Sequence, residues 1–138
     1  MSEMQRPVVG TGVWIRKEGK VLLGERKSEW GLGTWAPPGG KLEMYEEWDE
    51  NVLRETVEET GLNIGNIAFI TVLNGIFRDH KGHYVTLYFA ADWLTGEPEV
   101  KEPDKCGEWK WFDWNSLPVP LFEPTRIFVD KGYNPLKF

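Results

Sequence analysis

The chain has 138 residues, a length that fits one domain, and its 41% hydrophobic content with eight Trp is that of a packed globule rather than a disordered tail. A net charge of −6 argues against binding to nucleic-acid polymers or anionic membranes, although a divalent cation can bridge an acidic surface to a phosphate. The single cysteine, Cys106, excludes an intrachain disulfide; with no apolar signal core in MSEMQRPVVG and no apolar run near the roughly 20 residues of a membrane span, a cytoplasmic setting is the expectation.

The first expected element is a strand over residues 8–16. A Glu18-Gly19-Lys20 turn leads from it to a neighbouring strand over 21–26. Residues 27–40 are a loop, because the closing Trp35-Ala-Pro-Pro-Gly-Gly40 cannot be helical, and Trp35 is expected to be structural there. Residues 48–60 form a helix stopped by Gly61. Asp49 and Glu50 suit the dipole of its first turn, whereas Glu47 is a mediocre N-cap. Leu53, Thr56, Val57 and Thr60, with Val52 at the edge, make the arc expected to pack on a sheet. Two further strands, 68–77 and 83–93, flank a turn at 79–82. A polar loop over 97–107 precedes an alternating strand at 108–114. After an irregular stretch at 118–124, a short helix at 125–131 ends at Gly132. Interspersed strands and helices, without repeat or linker, predict one α/β or α+β layered domain over residues 1–138.

The informative string is Arg54-Glu55-Thr56-Val57-Glu58-Glu59-Thr60-Gly61. At about 100° per residue, Glu55, Glu58 and Glu59 occupy about 100° of helix surface, apart from the apolar arc. Clustered Glu on a helix is most often a solvated face. Crowding is nevertheless costly: two carboxylates about 4 Å apart repel by about 4 kcal/mol at an effective dielectric of about 20. A hard dication removes that cost. All-oxygen ligands select Mg²⁺, Mn²⁺ or Ca²⁺ over Zn²⁺, and Mg²⁺ commonly shares its site with substrate phosphates.

The context sharpens this reading. Gly40, then Glu46, then Arg54-Glu55, Glu58-Glu59 and Gly61-Leu62 follow the spacing G-x5-E-x7-R-E-U-x-E-E-x-G-U, where U is bulky aliphatic. On these residues the chain resembles the Nudix hydrolase superfamily. Thr56 departs from the pattern at an aliphatic position, and Met44-Tyr45 replaces the frequent Pro-Gly or Met-Gly pair. Beyond the box, Val21–Lys27 (VLLGERK), His83–Leu87 (HYVTL), Glu102–Cys106 (EPDKC) and Gly132–Pro135 (GYNP) look similar to MutT-type nucleoside triphosphate diphosphatases, nearest to the thiopurine-nucleotide diphosphatase branch.

The resemblance implies an α/β/α sandwich around a mixed sheet, with the box as a loop-helix-loop. It implies that Glu55, Glu58 and Glu59 bind or serve Mg²⁺ (Mn²⁺ as a substitute), that the Gly40 carbonyl adds a ligand, and that Glu46 supports a metal-bound water. Arg54 is implied to orient the glutamates, and its spacing permits i, i+4 pairs with Glu50 and Glu58. Glu102 stands where such enzymes carry a loop glutamate that completes the metal shell or acts as base. Arg26 and Lys41 are candidates for substrate phosphate. Thr86 and Leu121 or Phe122 are candidates for the nucleobase. Tyr84 and Trp93 read as sheet residues, His80 and His83 are too few for a zinc site, and Cys106 reads as an ordinary thiol. The expected activity is hydrolysis of a nucleoside triphosphate to the monophosphate and pyrophosphate. ADP-ribose, nucleotide sugars and dinucleoside polyphosphates stand as alternative substrates. Non-catalytic nucleotide binding and a purely structural or calcium-binding acidic domain are the rival functions. Related branches suggest a homodimer.

Overall fold

The computed structural model describes residues 5–138; residues 1–4, which the expected domain includes, lie outside the described residues. The elements in chain order are β1 (Val8–Lys17), β2 (Lys20–Arg26), β3 (Trp35–Ala36), α1 (Trp48–Thr60), β4 (Asn63–Phe77), β5 (Gly82–Thr95), β6 (Cys106–Asp113) and α2 (Glu123–Asp130). Short 3-10 turns occupy Arg78–His80 and Pro135–Lys137. Among the described residues, no helix is long and apolar enough to cross a membrane.

The strands form one mixed sheet in the order β3-β2-β1-β5-β4, with β6 also paired to β2. β1 and β5 are parallel, from Val8↔Tyr84 to Arg16↔Asp92, and every other pair is antiparallel. Both faces are buried, and the alternation along each strand divides the core. Val13, Ile15, Leu22, Leu87, Phe89 and Ala91 pack with Val52 of α1. Trp14, Val21, Leu23, Tyr88 and Ala90, offset by one residue, pack with Phe128 of α2. Helices on opposite faces of a mixed sheet make the expected α/β/α sandwich.

Gly61 ends α1 with φ 76° and donates to the Val57 carbonyl at 3.0 Å, as expected of its type. The buried face of the helix differs from the expected arc. Asn51, Val52, Thr56 and Thr60 face the sheet, whereas Leu53 and Val57 are exposed. The Thr56 and Thr60 hydroxyls bond back to the Val52 and Thr56 carbonyls, both at 2.7 Å, so they pack as small β-branched groups with satisfied oxygens. Asn51 rather than Leu53 takes the buried position, where its amide is hydrogen-bonded to Thr11, the Lys41 carbonyl and Glu46. The anticipated Arg54–Glu50 pair is absent from the ion pairs of the described residues, because Arg54 is drawn to Glu46.

β4 begins at Asn63, five residues before the expected start at 68. Asn63-Ile-Gly-Asn66 reads as turn sequence, and Asn66 does adopt φ 51°. It sits in a register shift between Gly65 and Ala68 that lets the strand continue.

Candidate active site

The site begins with a gap in the sheet. β1 and β2 share only Arg16↔Val21 and Lys17↔Lys20 before β2 turns away to β6 and β3. The loop after β3 takes up the freed edge of β1. Val13 donates to the Pro38 carbonyl at 2.8 Å, Thr11 to the Gly40 carbonyl at 2.8 Å, and Leu42 to the Val9 carbonyl at 2.9 Å. The approach demands glycine. A Cβ on Gly39 would lie 2.0 Å from the Thr11 carbonyl oxygen, and one on Gly40 would lie 2.3 Å from the Glu55 carboxyl carbon.

This strapped loop faces the acidic side of α1. Glu59 accepts the Gly39 N–H at 3.0 Å, and the Glu55 side chain is mostly enclosed beside Gly40. Arg54 binds Glu46 through Nε at 2.7 Å and reaches both Glu55 and Glu58 at 3.1 Å. Asn51 is wholly buried; it accepts from the Thr11 hydroxyl and donates to the Lys41 carbonyl and to Glu46, both at 2.9 Å. Sequence reasoning passed over Asn51. Its signal was one amide on a helix face otherwise made of Val and Thr.

The carboxyls differ sharply. Burial, reinforced by the charges of Glu55 and Glu102 and opposed by the Gly39 N–H, pushes Glu59 up to about 8. Burial also raises Glu55, against the pull of Arg54. Glu46 is held down at about 2, chiefly by the hydrogen bonds from Arg54 and then that from Asn51. The same contact with Glu46 raises Arg54.

These residues fit a hard dication. The donors are all oxygen, several carboxylates face one cavity, and the missing Cβ of Gly40 leaves room for the Glu55 carboxyl. The Gly40 carbonyl spends one lone pair on Thr11 and keeps the second. Among the described residues, no three Asp, Glu, His or Cys side chains form a metal cage as they stand, and Arg54 bridges Glu55 and Glu58 at 3.1 Å.

Glu55, Glu58, Glu59 and Glu102 line a polar cavity of about 650 Å³. An adjoining cavity of about 280 Å³ is more apolar, with Trp30, Tyr84, Thr86 and Phe122 in its wall. The two meet along Arg26, Ala36–Pro37 and Gly39–Lys41. Arg26 is partly desolvated, which lowers its pKa. Its Nε donates to the Trp30 carbonyl at 3.1 Å and its guanidinium lies 3.9 Å above the Phe122 ring. Trp30 stacks with Tyr84 at 5.4 Å and meets Phe122 edge-on at 4.8 Å.

Of the residues singled out from sequence, Arg26, Lys41, Gly40, Glu55, Glu58, Glu59 and Glu102 therefore share one cavity, and Thr86 and Phe122 the other. Arg54 and Glu46 stand behind the glutamates. Leu121 packs in the core on the α2 side, and Trp35 pairs with β2 and packs edge-on against Phe112. Tyr84 is a strand residue, as expected, but also lines the apolar cavity. Trp30 went unnoticed because a Trp in a Gly-rich loop carries no periodicity. The Cys106 thiol is raised by burial and donates to the Glu108 carbonyl, which is not the state of an activated nucleophile.

The NUDIX domain family model matches residues 6–131. An ADP-ribose pyrophosphatase of Methanocaldococcus jannaschii is 36% identical over 124 residues, covering 90% of this chain and 72% of that protein. An 8-oxo-dGTP diphosphatase of Proteus vulgaris is 31% identical over 111 residues, covering 78% of this chain and 96% of that protein. The crystal structure of a MutT NUDIX hydrolase from Burkholderia pseudomallei superposes with a TM-score of 0.86 at 34% identity, covering 94% of this chain and all of that one. With a family model matched over nearly the whole chain and a related structure superposing over 94% of it, the chain belongs to the Nudix hydrolase family.

Proposed function

We propose that this Nudix hydrolase cleaves a phosphoanhydride bond in a nucleotide with Mg²⁺, most directly a (deoxy)nucleoside triphosphate to its monophosphate and pyrophosphate. The observation that carries the reading is the joined cleft. One end is a set of enclosed carboxylates, the other an aromatic wall, and Arg26 and Lys41 lie where they meet. A nucleotide has the matching sequence of parts: a flat base, then phosphates.

In this reading Glu55, Glu58 and Glu59 hold the dication, with Glu102 and the second lone pair of Gly40 as further donors. Bound there, Mg²⁺ would neutralise the diphosphate and lower the pKa of a water. Arg26 and Lys41 grip phosphate oxygens and offset the charge that grows as the bridging oxygen leaves. Trp30, Tyr84 and Phe122 bury the base, and Thr86 offers it a hydroxyl. Arg54 pairs with Glu55 and Glu58 and aims them, and Glu46 holds Arg54 in place. Water adds to one phosphorus in line with the departing oxygen, so a triphosphate plus water yields monophosphate plus pyrophosphate. Glu102, on its loop, is either a metal donor or the base that takes the proton of that water.

A second reading is supported by the M. jannaschii relative, whose name is ADP-ribose pyrophosphatase. The polar cavity of about 650 Å³ offers space beyond the glutamates for a second sugar. A hydrolysis screen decides: unmodified and oxidised nucleoside triphosphates, ADP-ribose, nucleotide sugars and dinucleoside polyphosphates, each with Mg²⁺, Mn²⁺ or chelator. Release of pyrophosphate from a triphosphate supports the first reading. Activity confined to two-part substrates replaces it with the second, and turnover unaffected by chelator sinks both. The proposal includes a homodimer in a cytoplasmic setting, and light scattering on the purified protein tests the dimer.

A further inference from the structure

Asn51 is fully buried, and each polar atom of its amide has a partner. The oxygen takes the Thr11 hydroxyl of β1. The two amide protons go to the Lys41 carbonyl and to Glu46 Oε1, each at 2.9 Å. Glu46 in turn accepts Arg54 through Nε at 2.7 Å and Nη2 at 3.2 Å, and Nη1 of Arg54 lies 3.1 Å from both Glu55 and Glu58. One continuous path therefore runs from the sheet, through Asn51, to two of the acids that face the polar cavity.

We propose that Asn51 is a positioning residue for the metal site: its amide locks the Gly40–Lys41 loop and the Glu46–Arg54 pair into the one register that aims Glu55 and Glu58 into the cavity. This rests on the reading that those glutamates hold a dication.

A buried amide needs partners of some kind, and any core Asn finds them. Here the partners are specific. Lys41 directly follows Gly40, whose bare Cα seats the Glu55 carboxyl. Glu46 is the acid that fixes the guanidinium fork, and a planar fork transmits its orientation to every group it binds. Both amide protons thus serve groups that place the carboxylates, and the oxygen ties them to β1. An aliphatic side chain in the same volume would avoid the cost of burying an amide, but would hold neither the loop nor Glu46. Losing a group that orients metal ligands from behind typically costs about 10- to 100-fold in metal affinity.

The test uses two variants of the full chain. Asn51→Asp keeps an acceptor for Thr11, removes both amide donations and sets a carboxylate against Glu46. Thr11→Val/Asn51→Leu removes the hydrogen bonds of Thr11 and Asn51 together and keeps apolar volume, so it supplies the answer should Asn51→Asp not fold. Mn²⁺ binding is measured by calorimetry, alongside thermal unfolding and nucleotide hydrolysis. The expected result is folded protein with Mn²⁺ affinity weakened about 10- to 100-fold. At saturating nucleotide kcat should fall while nucleotide KM stays within about twofold, because the aromatic end is untouched. A folded variant with Mn²⁺ affinity within about twofold of the parent overturns the proposal, even where its melting temperature drops, since Asn51 would then serve stability alone. If the parent itself binds no Mn²⁺, the metal reading fails and the positioning role falls with it, an outcome visible before any variant is made.

Discussion

The Cα of Gly40 and the carboxyl of Glu55 are packed so closely that a methyl group on the glycine would come within 2.3–2.5 Å of the carboxyl atoms. The glycine therefore sets where that acid can be. Gly40→Ala should fold, because the carboxyl can swing away, but should lose about 100-fold in kcat, the scale of an ångström-sized misplacement. Steady-state kinetics with a circular-dichroism check on folding measures this. Gly39→Ala is a sharper case: its Cβ would meet the Thr11 backbone at 2.0 Å, which cannot swing, so the melting temperature should fall as well.

Glu58 is half exposed and, among the described residues, its carboxylate is bonded only to Arg54. Glu58→Gln should leave the fold intact and reduce turnover by at least about 100-fold, the scale on which a preorganised electrostatic group acts. Near-normal Mg²⁺-dependent turnover would remove Glu58 from the metal site.

Glu59 is pushed up to about 8 by burial, from an ordinary value of 4.5. The folded protein thus holds a proton there that the unfolded chain releases at lower pH. This contribution is fully present below 4.5 and is lost as pH rises through 8, so stability in chelator should decline across that window. Mg²⁺ competes with the same proton, so its stabilising effect should grow over the same range. Melting curves from pH 5 to 9, with chelator and with Mg²⁺, report both trends. Glu59→Gln should flatten them; an unchanged pH dependence in that variant would assign the trend to other groups.

Trp30 is placed to cover a base in the apolar cavity. Stacking on an aromatic side chain contributes about 1–3 kcal/mol, so Trp30→Ala should raise nucleotide KM by about 5- to 150-fold. Mn²⁺ affinity should hardly move, because Trp30 is absent from the acidic cavity wall. An unaltered KM across the substrate screen would place the base elsewhere.

The framework and the acidic end were legible in sequence for a local reason. The spacing of Gly40, Glu46, Arg54, Glu55, Glu58 and Glu59 lies within one loop and one helix, where neighbours in space are neighbours in the chain. The strand alternation and Gly61 fixed most element positions in the same way. The aromatic end was only half legible. Trp30, Tyr84 and Phe122 come from three separate segments, and only the folded sheet brings them together. Asn51 escaped because its partners Thr11 and Lys41 are 40 and 10 residues away. The exposure of Leu53 and Val57 was missed for the same reason: hydrophobic periodicity does not register a buried amide on the sheet-facing side of a helix.

The departure of β2 from β1 has an evolutionary corollary. It leaves a seam in the sheet, and the glycine loop that fills it separates two walls built from different parts of the chain. One wall is chiefly a single helix with its preceding loop, contiguous in the chain, joined by Glu102. The other is assembled from the β2–β3 loop, two positions of β5 and the residue before α2. Changes in the second wall can retune which molecule is accepted without disturbing the first, so a lineage can keep its chemistry while its diet drifts.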